Sequence, residues 1–344
     1  MVSILILNYN GKEYLKECFL SVLKQSYNDF EIVFYDNCSS DGSVEYIKEN
    51  FNDTRIKVIS SETNFGFAGG NNEALKHASG DLIVLLNNDT VVNKEWLSEL
   101  VKCLDESENA GMVQSLVITE GIPLKYYEKN GTINLFGHNI MEVFDIDKSG
   151  IGEIFQVNGC SFIIRKELIV RIGGLFPDEY FAYAEDTYLS FKVKFAGYKI
   201  YHNANSIVQH KGGATMRKYR NEFVTFYQER NRLLNFFIFF SDTFRRKYYT
   251  LLLYNLFVKL FYGLLTGRYS VRGVLKAYSW ILKNEKWIKA EQTKLNLIKQ
   301  VREEEILKYL SGKVANGDNL PEKILNQIML FYLKLVNVKV IELK

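Results

Sequence analysis

The stretch Leu82-Ile-Val-Leu-Leu-Asn-Asn-Asp-Thr90 decides how this chain is read. Apolar runs this short suit strands buried on both faces, as in a parallel sheet. The run stops at Asn87-Asn-Asp89, which concentrates oxygen atoms at the strand's carboxyl end. Glu31-Ile-Val-Phe-Tyr-Asp36 repeats the pattern, with a carboxylate directly after the apolar residues. In an open α/β sheet, ligands bind in the crevice beyond the carboxyl ends of the strands. Asp36 and Asp89 are therefore expected in one crevice, one reading a nucleotide and the other holding a cation.

Outward from these runs, strand and helix patterns alternate. Residues 2–7 read as a strand, and 12–25 carry helical apolar spacing at Tyr14, Leu15, Cys18, Phe19, Val22 and Leu23. Strands follow at 31–35, 57–60, 81–86 and 112–118, with helices at 44–50, 71–78 and 94–105 between them. This β-α-β-α order predicts an α/β fold with a mainly parallel sheet flanked by helices. Residues 120–153, rich in Gly, Asn, Lys and Tyr, lose the pattern and read as an irregular excursion. Beyond them come a β-rich run at 155–164, a short helix at 166–172 stopped by Gly173-Gly174, a helix at 186–195, and short strands at 198–202 and 206–210.

Composition shifts after about Phe223. Aromatic and aliphatic residues crowd 233–240 and 248–265, interrupted by Arg245-Arg-Lys247, Lys259 and Arg268. No apolar span reaches the ~20 residues that a membrane-crossing helix needs. Two domains are expected, a sheet domain over 1–225 and a helical region over 226–344. The basic and aromatic mixture suits helices lying in a membrane interface; a helical subdomain packed on its own core would carry the same pattern. The four cysteines (Cys18, Cys38, Cys103, Cys160) are far apart without CxxC spacing, which fits a reduced, cytoplasmic setting. A net charge of +3 gives no argument for nucleic acid. The opening Met1-Val-Ser-Ile-Leu-Ile-Leu7 lacks a basic start and reads as the first strand rather than a signal peptide.

Several side chains at strand and helix ends can do chemistry. Tyr9, in Asn8-Tyr-Asn-Gly11, can stack on a nucleobase or be an ordinary strand-end aromatic. Asp36 can accept from a ribose hydroxyl or a base N–H, or cap the next helix; Asp41-Gly42 suits that capping role better. Asn64-Phe-Gly-Phe-Ala-Gly-Gly-Asn-Asn72 leads into a helix, and its glycines, Gly66 first, would let backbone approach an anionic ligand. Asp89 can hold Mg²⁺ or Mn²⁺ against a diphosphate, since these ions take carboxylates, water and phosphate oxygens; a cap for the helix at 94–105 is the lesser alternative. Asp186, in Glu185-Asp186, can abstract a hydroxyl proton or cap its helix. His210, before Lys211-Gly-Gly-Ala-Thr215, can ligate the metal, touch the diphosphate or serve structure.

Taken in order, these segments resemble the inverting nucleotide-sugar glycosyltransferases of family 2, with the GT-A fold. The segments are 2–11, 36–42, 64–72, 85–90, Asn158-Gly-Cys-Ser161, 184–187 and 210–215. The pairing of Asn64–Asn72 with Leu86-Asn-Asn-Asp89 is most similar to the rhamnosyltransferase-like branch, which builds surface polysaccharides. The resemblance implies that Asn8, Tyr9, Asp36, Asn64, Gly66 and Asn88 bind the nucleotide. It implies that Asp89 and His210 hold Mg²⁺ or Mn²⁺, that Asp186 is the catalytic base, and that Gly159, Cys160 and Glu185 lie near sugar and acceptor. Asn87 stands where the family's metal motif has its first aspartate, leaving one fewer negative charge for the ion. The partners implied are a nucleotide-sugar donor and a glycan or lipid-linked glycan acceptor, with the enzyme cytoplasmic or peripheral on the inner face of the membrane. A non-catalytic, membrane-associated scaffold subunit is the alternative; failure to bind nucleoside diphosphates would favour it.

Overall fold

A computed structural model of the chain describes residues 1–120, 132–134, 137–140, 150–211, 222–266, 269–313 and 320–335. The chain divides into two compact units, one comprising 1–130, 143–181 and 198–212, the other 131–142, 182–197 and 213–344. In chain order the strands are β1 (Val2–Asn8), β2 (Phe30–Asp36), β3 (Ile56–Ser60), β4 (Leu82–Leu86), β5 (Thr90–Val92), β6 (Ala110–Thr119), β7 (Thr132–Ile133), β8 (Asn139–Ile140), β9 (Ile151–Ile154), β10 (Ser161–Arg165) and β11 (Lys199–His210).

The first unit is built on a nine-stranded sheet in the order β3-β2-β1-β4-β10-β6-β11-β5, with β9 also paired to β11. Helices α1 (Lys12–Leu23), α2 (Ser43–Asn50), α3 (Gly66–Leu75), α4 (Trp96–Glu106) and α5 (Lys166–Arg171) belong to this unit. The half β3-β2-β1-β4 is parallel throughout, so the carboxyl ends of β1, β2 and β4 share one edge. Beyond β4 the sheet is mixed. Strand β10 runs antiparallel to both β4 and β6, and β6 pairs in parallel with β11. One core cluster gathers Leu15, Cys18, Phe19 and Val22 of α1 with Ile4, Ile6, Phe34 and Trp96. The 3-1-3 spacing of those α1 residues is the apolar stripe of an amphipathic helix, and each large apolar side chain buried there contributes about 1.5–3 kcal/mol. Trp96 is fully buried, and its indole N–H donates to Ser115 Oγ and Ser161 Oγ, both at 3.0 Å, tying α4 to β6 and β10.

Three expectations about elements need correction. Helix α3 begins at Gly66, not near residue 71, so the glycine-rich stretch forms the helix's first turns. Residues 198–210 are one strand, β11, with a bulge between Asn203 and Ile207 rather than two strands. Of the β-rich run at 155–164 only the part from Ser161 is strand, in β10, and β9 ends before it at Ile154. Of the expected irregular excursion, residues 121–131, 135–136 and 141–149 lie outside the described residues, as do 212–215 after Lys211.

The second unit holds the two-stranded β7-β8 sheet and helices α6 (Glu185–Phe195), α7 (Glu222–Phe239), α8 (Asp242–Thr266), α9 (Val271–Lys283), α10 (Glu285–Ile298), α11 (Glu303–Leu307) and α12 (Leu320–Leu335). Its core is largely aromatic: Phe191 stacks on Phe239 at 4.6 Å, and Phe244 on Tyr248 at 4.4 Å. Lys259, which interrupts an apolar run in the sequence, is not an exposed charge. It forms a buried ion pair with Glu229, and Asn255 donates to the same carboxylate at 3.2 Å. Among the described residues no single helix is long and apolar enough to cross a membrane, although Asp242–Thr250 and Leu252–Leu265, joined at a 42° bend, would be as a pair.

Candidate active site

Asn8 is the hub of the strand-end cluster in the first unit. It ends β1, is fully buried, and pairs in register with Asp36 at the end of β2. Its Nδ2 donates to Asp36 Oδ2 at 2.9 Å and to Ser39 Oγ at 3.1 Å, while its Oδ1 accepts from Asn88 Nδ2 at 2.6 Å. One amide thus links the ends of β1, β2 and β4. Asp36 also accepts from the Ser39 backbone N–H at 2.9 Å. That leaves lone pairs for a ligand, since a carboxylate can accept about four hydrogen bonds. Tyr9, next along the chain, is 53% exposed. Asn10 adopts φ +51° and accepts from the Ser40 N–H at 2.8 Å, which fixes the loop around Tyr9. Asp41 takes the structural role expected of it, accepting from the backbone N–H groups of Lys12 (2.9 Å) and Ser43 (3.1 Å) at the heads of α1 and α2.

In the glycine-rich stretch, a Cβ on Gly70 would lie 2.6 Å from Leu7 Cδ1, and one on Gly66 would lie 2.6 Å from Phe181 Cδ2. These glycines let α3 approach β1 and the Phe181 segment closely. Both polar groups of Gly66 are also engaged. Its N–H donates to Asn64 Oδ1 at 2.8 Å, and its C=O accepts from Asn37 Nδ2 at 3.0 Å. Asn37 Nδ2 donates to Asn64 Oδ1 as well, at 3.0 Å, and Asn37 Oδ1 accepts from the Phe65 N–H at 3.0 Å. Buried Asn37, overlooked in the sequence because it follows Asp36, is what fastens this loop to β2. Its only signal is the Asp-Asn pair at a strand end.

At the edge of the same cluster, β5 and β11 pair so that His210 lies opposite Thr90. This brings His210 Nε2 to 3.1 Å from Asp89 Oδ1, with both side chains largely shielded (17% and 14% exposed). The Lys211 N–H donates to the Asp89 carbonyl at 3.0 Å, securing the approach of the two segments. Among the described residues no group of three or more His, Cys, Asp or Glu side chains could hold a metal ion. One carboxylate and one imidazole nonetheless fit Mg²⁺ or Mn²⁺, which take few protein ligands and complete their shell with phosphate oxygens and water. Asn87 donates its backbone N–H to the Cys160 carbonyl at 2.9 Å, linking β4 to the Asn158–Ser161 turn. The Cys160 side chain belongs to the apolar core, and burial pushes its thiol well above the ordinary range. Gly159 and Cys160 are both buried.

Glu185 and Asp186 open α6 in the second unit. Glu185 is 7% exposed, one of its carboxylate oxygens has no hydrogen-bond partner, and burial followed by the neighbouring Asp186 charge raises its pKa to about 8. Asp186 is half-buried and accepts from the Thr187 N–H at 2.7 Å. The turn before them is unusual. Tyr183 and Ala184 have φ of +75° and +60°, a region that costs a non-glycine residue roughly 1–2 kcal/mol. Helix α7 holds this turn: Asn231 Nδ2 donates to the carbonyls of Ala182 (2.9 Å) and Tyr183 (2.6 Å), and Asn235 Nδ2 to that of Ala184 (3.0 Å). Neither asparagine stood out in the sequence, because a polar residue in an aromatic helix reads as a solvent-facing position.

Comparison with known proteins agrees in kind with this arrangement. Residues 3–173 match the model of glycosyl transferase family 2. The chain is similar to the poly(ribitol-phosphate) beta-N-acetylglucosaminyltransferase TarS of Staphylococcus aureus, 30% identical over 132 residues that cover 37% of this chain and 23% of that protein. It is similar to the UDP-Glc:alpha-D-GlcNAc-diphosphoundecaprenol beta-1,3-glucosyltransferase WfgD of Escherichia coli, 40% identical over 91 residues that cover 26% of this chain and 36% of that protein. The matched part is thus well under two thirds of either relative's length. Among solved structures, residues 1–349 of S. aureus TarS in complex with UDP superimpose with a TM-score of 0.52 at 17% identity, covering 98% of this chain and 88% of that one. The mannosyltransferase PcManGT from Pyrobaculum calidifontis in complex with GDP-Man and Mn²⁺ gives 0.52 at 16% identity, covering 98% and 86%. At such identities the likeness shows the fold alone, and that fold is GT-A. Residues 3–173 of this chain are therefore a glycosyl transferase family 2 domain.

Proposed function

We propose that this protein moves a sugar from a nucleoside-diphosphate donor to a hydroxyl of a surface glycan or its lipid-linked precursor, inverting the anomeric carbon. One observation carries the proposal: buried Asn8 joins three strand ends, so that Asp36 is aimed by amides while Asp89 is backed by His210. A cluster built only to close a sheet has no need of two carboxylates there. TarS, named for poly(ribitol-phosphate), and WfgD, named for a diphosphoundecaprenol-linked sugar, support a cell-surface glycan as acceptor.

In this reading Tyr9 offers its ring to the base, and Asp36 accepts from ribose or base, with Asn8 and Asn88 aligning them. Asn64 and Gly66 shape the wall of that pocket. Asp89 and His210 would hold Mg²⁺ or Mn²⁺, which supplies positive charge against the leaving diphosphate. Asp186 takes the proton from the acceptor hydroxyl as that oxygen bonds to the anomeric carbon, and the bond to the diphosphate breaks with its electron pair. Glu185, protonated at neutral pH, can donate a hydrogen bond to a sugar or acceptor oxygen, and the backbone of Gly159 and Cys160 serves the sugar. Residues 1–225 serve as the catalytic domain. Residues 226–344, with 21 Lys and Arg against 10 Asp and Glu, serve as a cytoplasm-facing membrane contact. Tyr249, Leu253, Phe257, Phe261 and Leu265, four residues apart along α8, are all exposed or among its outward side chains and suit an acyl boundary.

The test is a nucleotide-release screen over UDP-GlcNAc, UDP-glucose, GDP-mannose and dTDP-rhamnose with Mn²⁺ or Mg²⁺, the last donor chosen from the motif resemblance. Asp186→Asn is expected to bind the selected donor and lose turnover. Full turnover in that variant removes Asp186 as the base. Absence of binding by every nucleoside diphosphate removes the enzymatic reading altogether.

A further inference from the structure

We infer that Asn231 and Asn235 are positioning residues for the proton acceptor, acting through the left-handed turn that leads into Asp186. This rests on the reading of Asp186 as the base. Six non-glycine residues among those described have positive φ, and three of them, Phe181, Tyr183 and Ala184, fall within the four residues before Glu185. Such conformations persist only where the surroundings over-determine them, and they cluster at functional sites. Here the surroundings are two amides. The carbonyls of Ala182, Tyr183 and Ala184 point successively at one face of α7, where Asn231 and Asn235 stand one helical turn apart. The Ala184 carbonyl also accepts from the Tyr188 N–H at 3.1 Å, the hydrogen bond that starts α6. Asn235 therefore grips the peptide group from which Glu185 and Asp186 project.

The amides are themselves held. Asn231 Oδ1 accepts from Arg230 Nε (2.9 Å) and Nη2 (2.8 Å), which turns its Nδ2 toward the loop. The Arg230 guanidinium is in turn packed against the rings of Tyr227 (4.6 Å) and Trp280 (5.0 Å). Asn231 and Asn235 are essentially unexposed, so water cannot replace either donor without the helix moving. An exposed turn that merely connected two elements would leave those carbonyls to solvent. Three captured in a row, at backbone angles that alanine and tyrosine resist, mark a turn whose exit direction is fixed.

The test compares Asn235→Ala, Asn231→Ala and Asn235→Ala with Ala184→Gly in the full chain, using nucleoside-diphosphate release from the donor selected by the screen above. Asn235→Ala is expected to lower kcat by about 10- to 100-fold, the scale of a small misplacement of a reacting group, with donor KM and donor affinity by calorimetry within about threefold. Amide hydrogen exchange at residues 183–188 should accelerate in the same variant. Glycine adopts positive φ without strain, so adding Ala184→Gly should recover part of the lost kcat. Asn231→Ala removes two bonds and the Arg230 partner; if it fails to fold, Asn235→Ala decides. Wild-type kcat in Asn235→Ala, an equal loss of donor affinity, or no recovery on adding Ala184→Gly overturns the inference. Asp186→Asn is assayed alongside, and wild-type turnover there refutes the base itself whatever the asparagine variants do.

Discussion

Gly11→Ala is the sharpest probe of the strand-end cluster. Gly11 has φ −117°, which any residue adopts, so no conformational demand explains a glycine there. Space does. A Cβ at this position would fall well inside 3.0 Å of Asn88 Nδ2 and at 2.8 Å from Asn8 Oδ1, the two atoms of the 2.6 Å hydrogen bond that joins β1 to β4. Carbon needs about 3.5 Å from such neighbours, so the Asn88 amide must move by roughly an ångström and the bond breaks. Asn8 is fully buried, and an unsatisfied buried acceptor costs about 1–3 kcal/mol. Melting should fall by a few degrees at most, at about 1–2 °C per kcal/mol for a chain of 344 residues. Because Asn8 also aims Asp36, kcat/KM for the donor should drop by roughly 10- to 100-fold. Gly173→Ala is the control. Its φ of +77° makes alanine strained, yet nothing lies within 4 Å of the new Cβ, so it should lose stability without losing donor affinity. Differential scanning fluorimetry and nucleotide-release kinetics on both variants supply the comparison. If Gly11→Ala melts and turns over like wild type, Asn8 is not the hub described.

Other outcomes follow from the same structure. Lys259→Met strands the buried Glu229 carboxylate and should destabilise the protein by about 3–5 kcal/mol, whereas Lys259→Met with Glu229→Gln should recover much of that in urea melts. Glu185, with its folded pKa raised to about 8 against an ordinary 4.5, binds its proton more tightly when folded. Its contribution to stability is full below pH 4.5 and is lost as pH rises to about 8, with a slope approaching ~1.4 kcal/mol per pH unit. Glu185→Gln should flatten the melting temperature across that window, and an unchanged pH dependence would contradict the burial argument. His210→Ala should raise the Mn²⁺ concentration needed for half-maximal nucleotide release by about tenfold while leaving melting nearly unchanged; equal metal titrations in variant and wild type would remove His210 from the ion's shell.

Much of the first unit was legible in the chain alone. Short apolar runs marked β1, β2 and β4, and their abrupt ends placed Asn8, Asp36 and Asn88-Asp89 at a common edge, because strand length and hydrophobic pattern are properties of consecutive residues. Pairing is not such a property. That β10 enters antiparallel between β4 and β6, and that β5 exists at all, depends on hydrogen bonds between segments scores of residues apart. His210 meets Asp89 only through the β5–β11 register, so its nearness to the carboxylate could not be read from spacing. In the glycines of α3 a missing Cβ says only that something approaches; the fold brings Leu7 and Phe181 there. Lys259 and the α7 asparagines show the same division. Their types were plain in the sequence, but whether a polar side chain in an aromatic helix faces water, a buried carboxylate or the carbonyls of a strained turn is settled by which element packs against it.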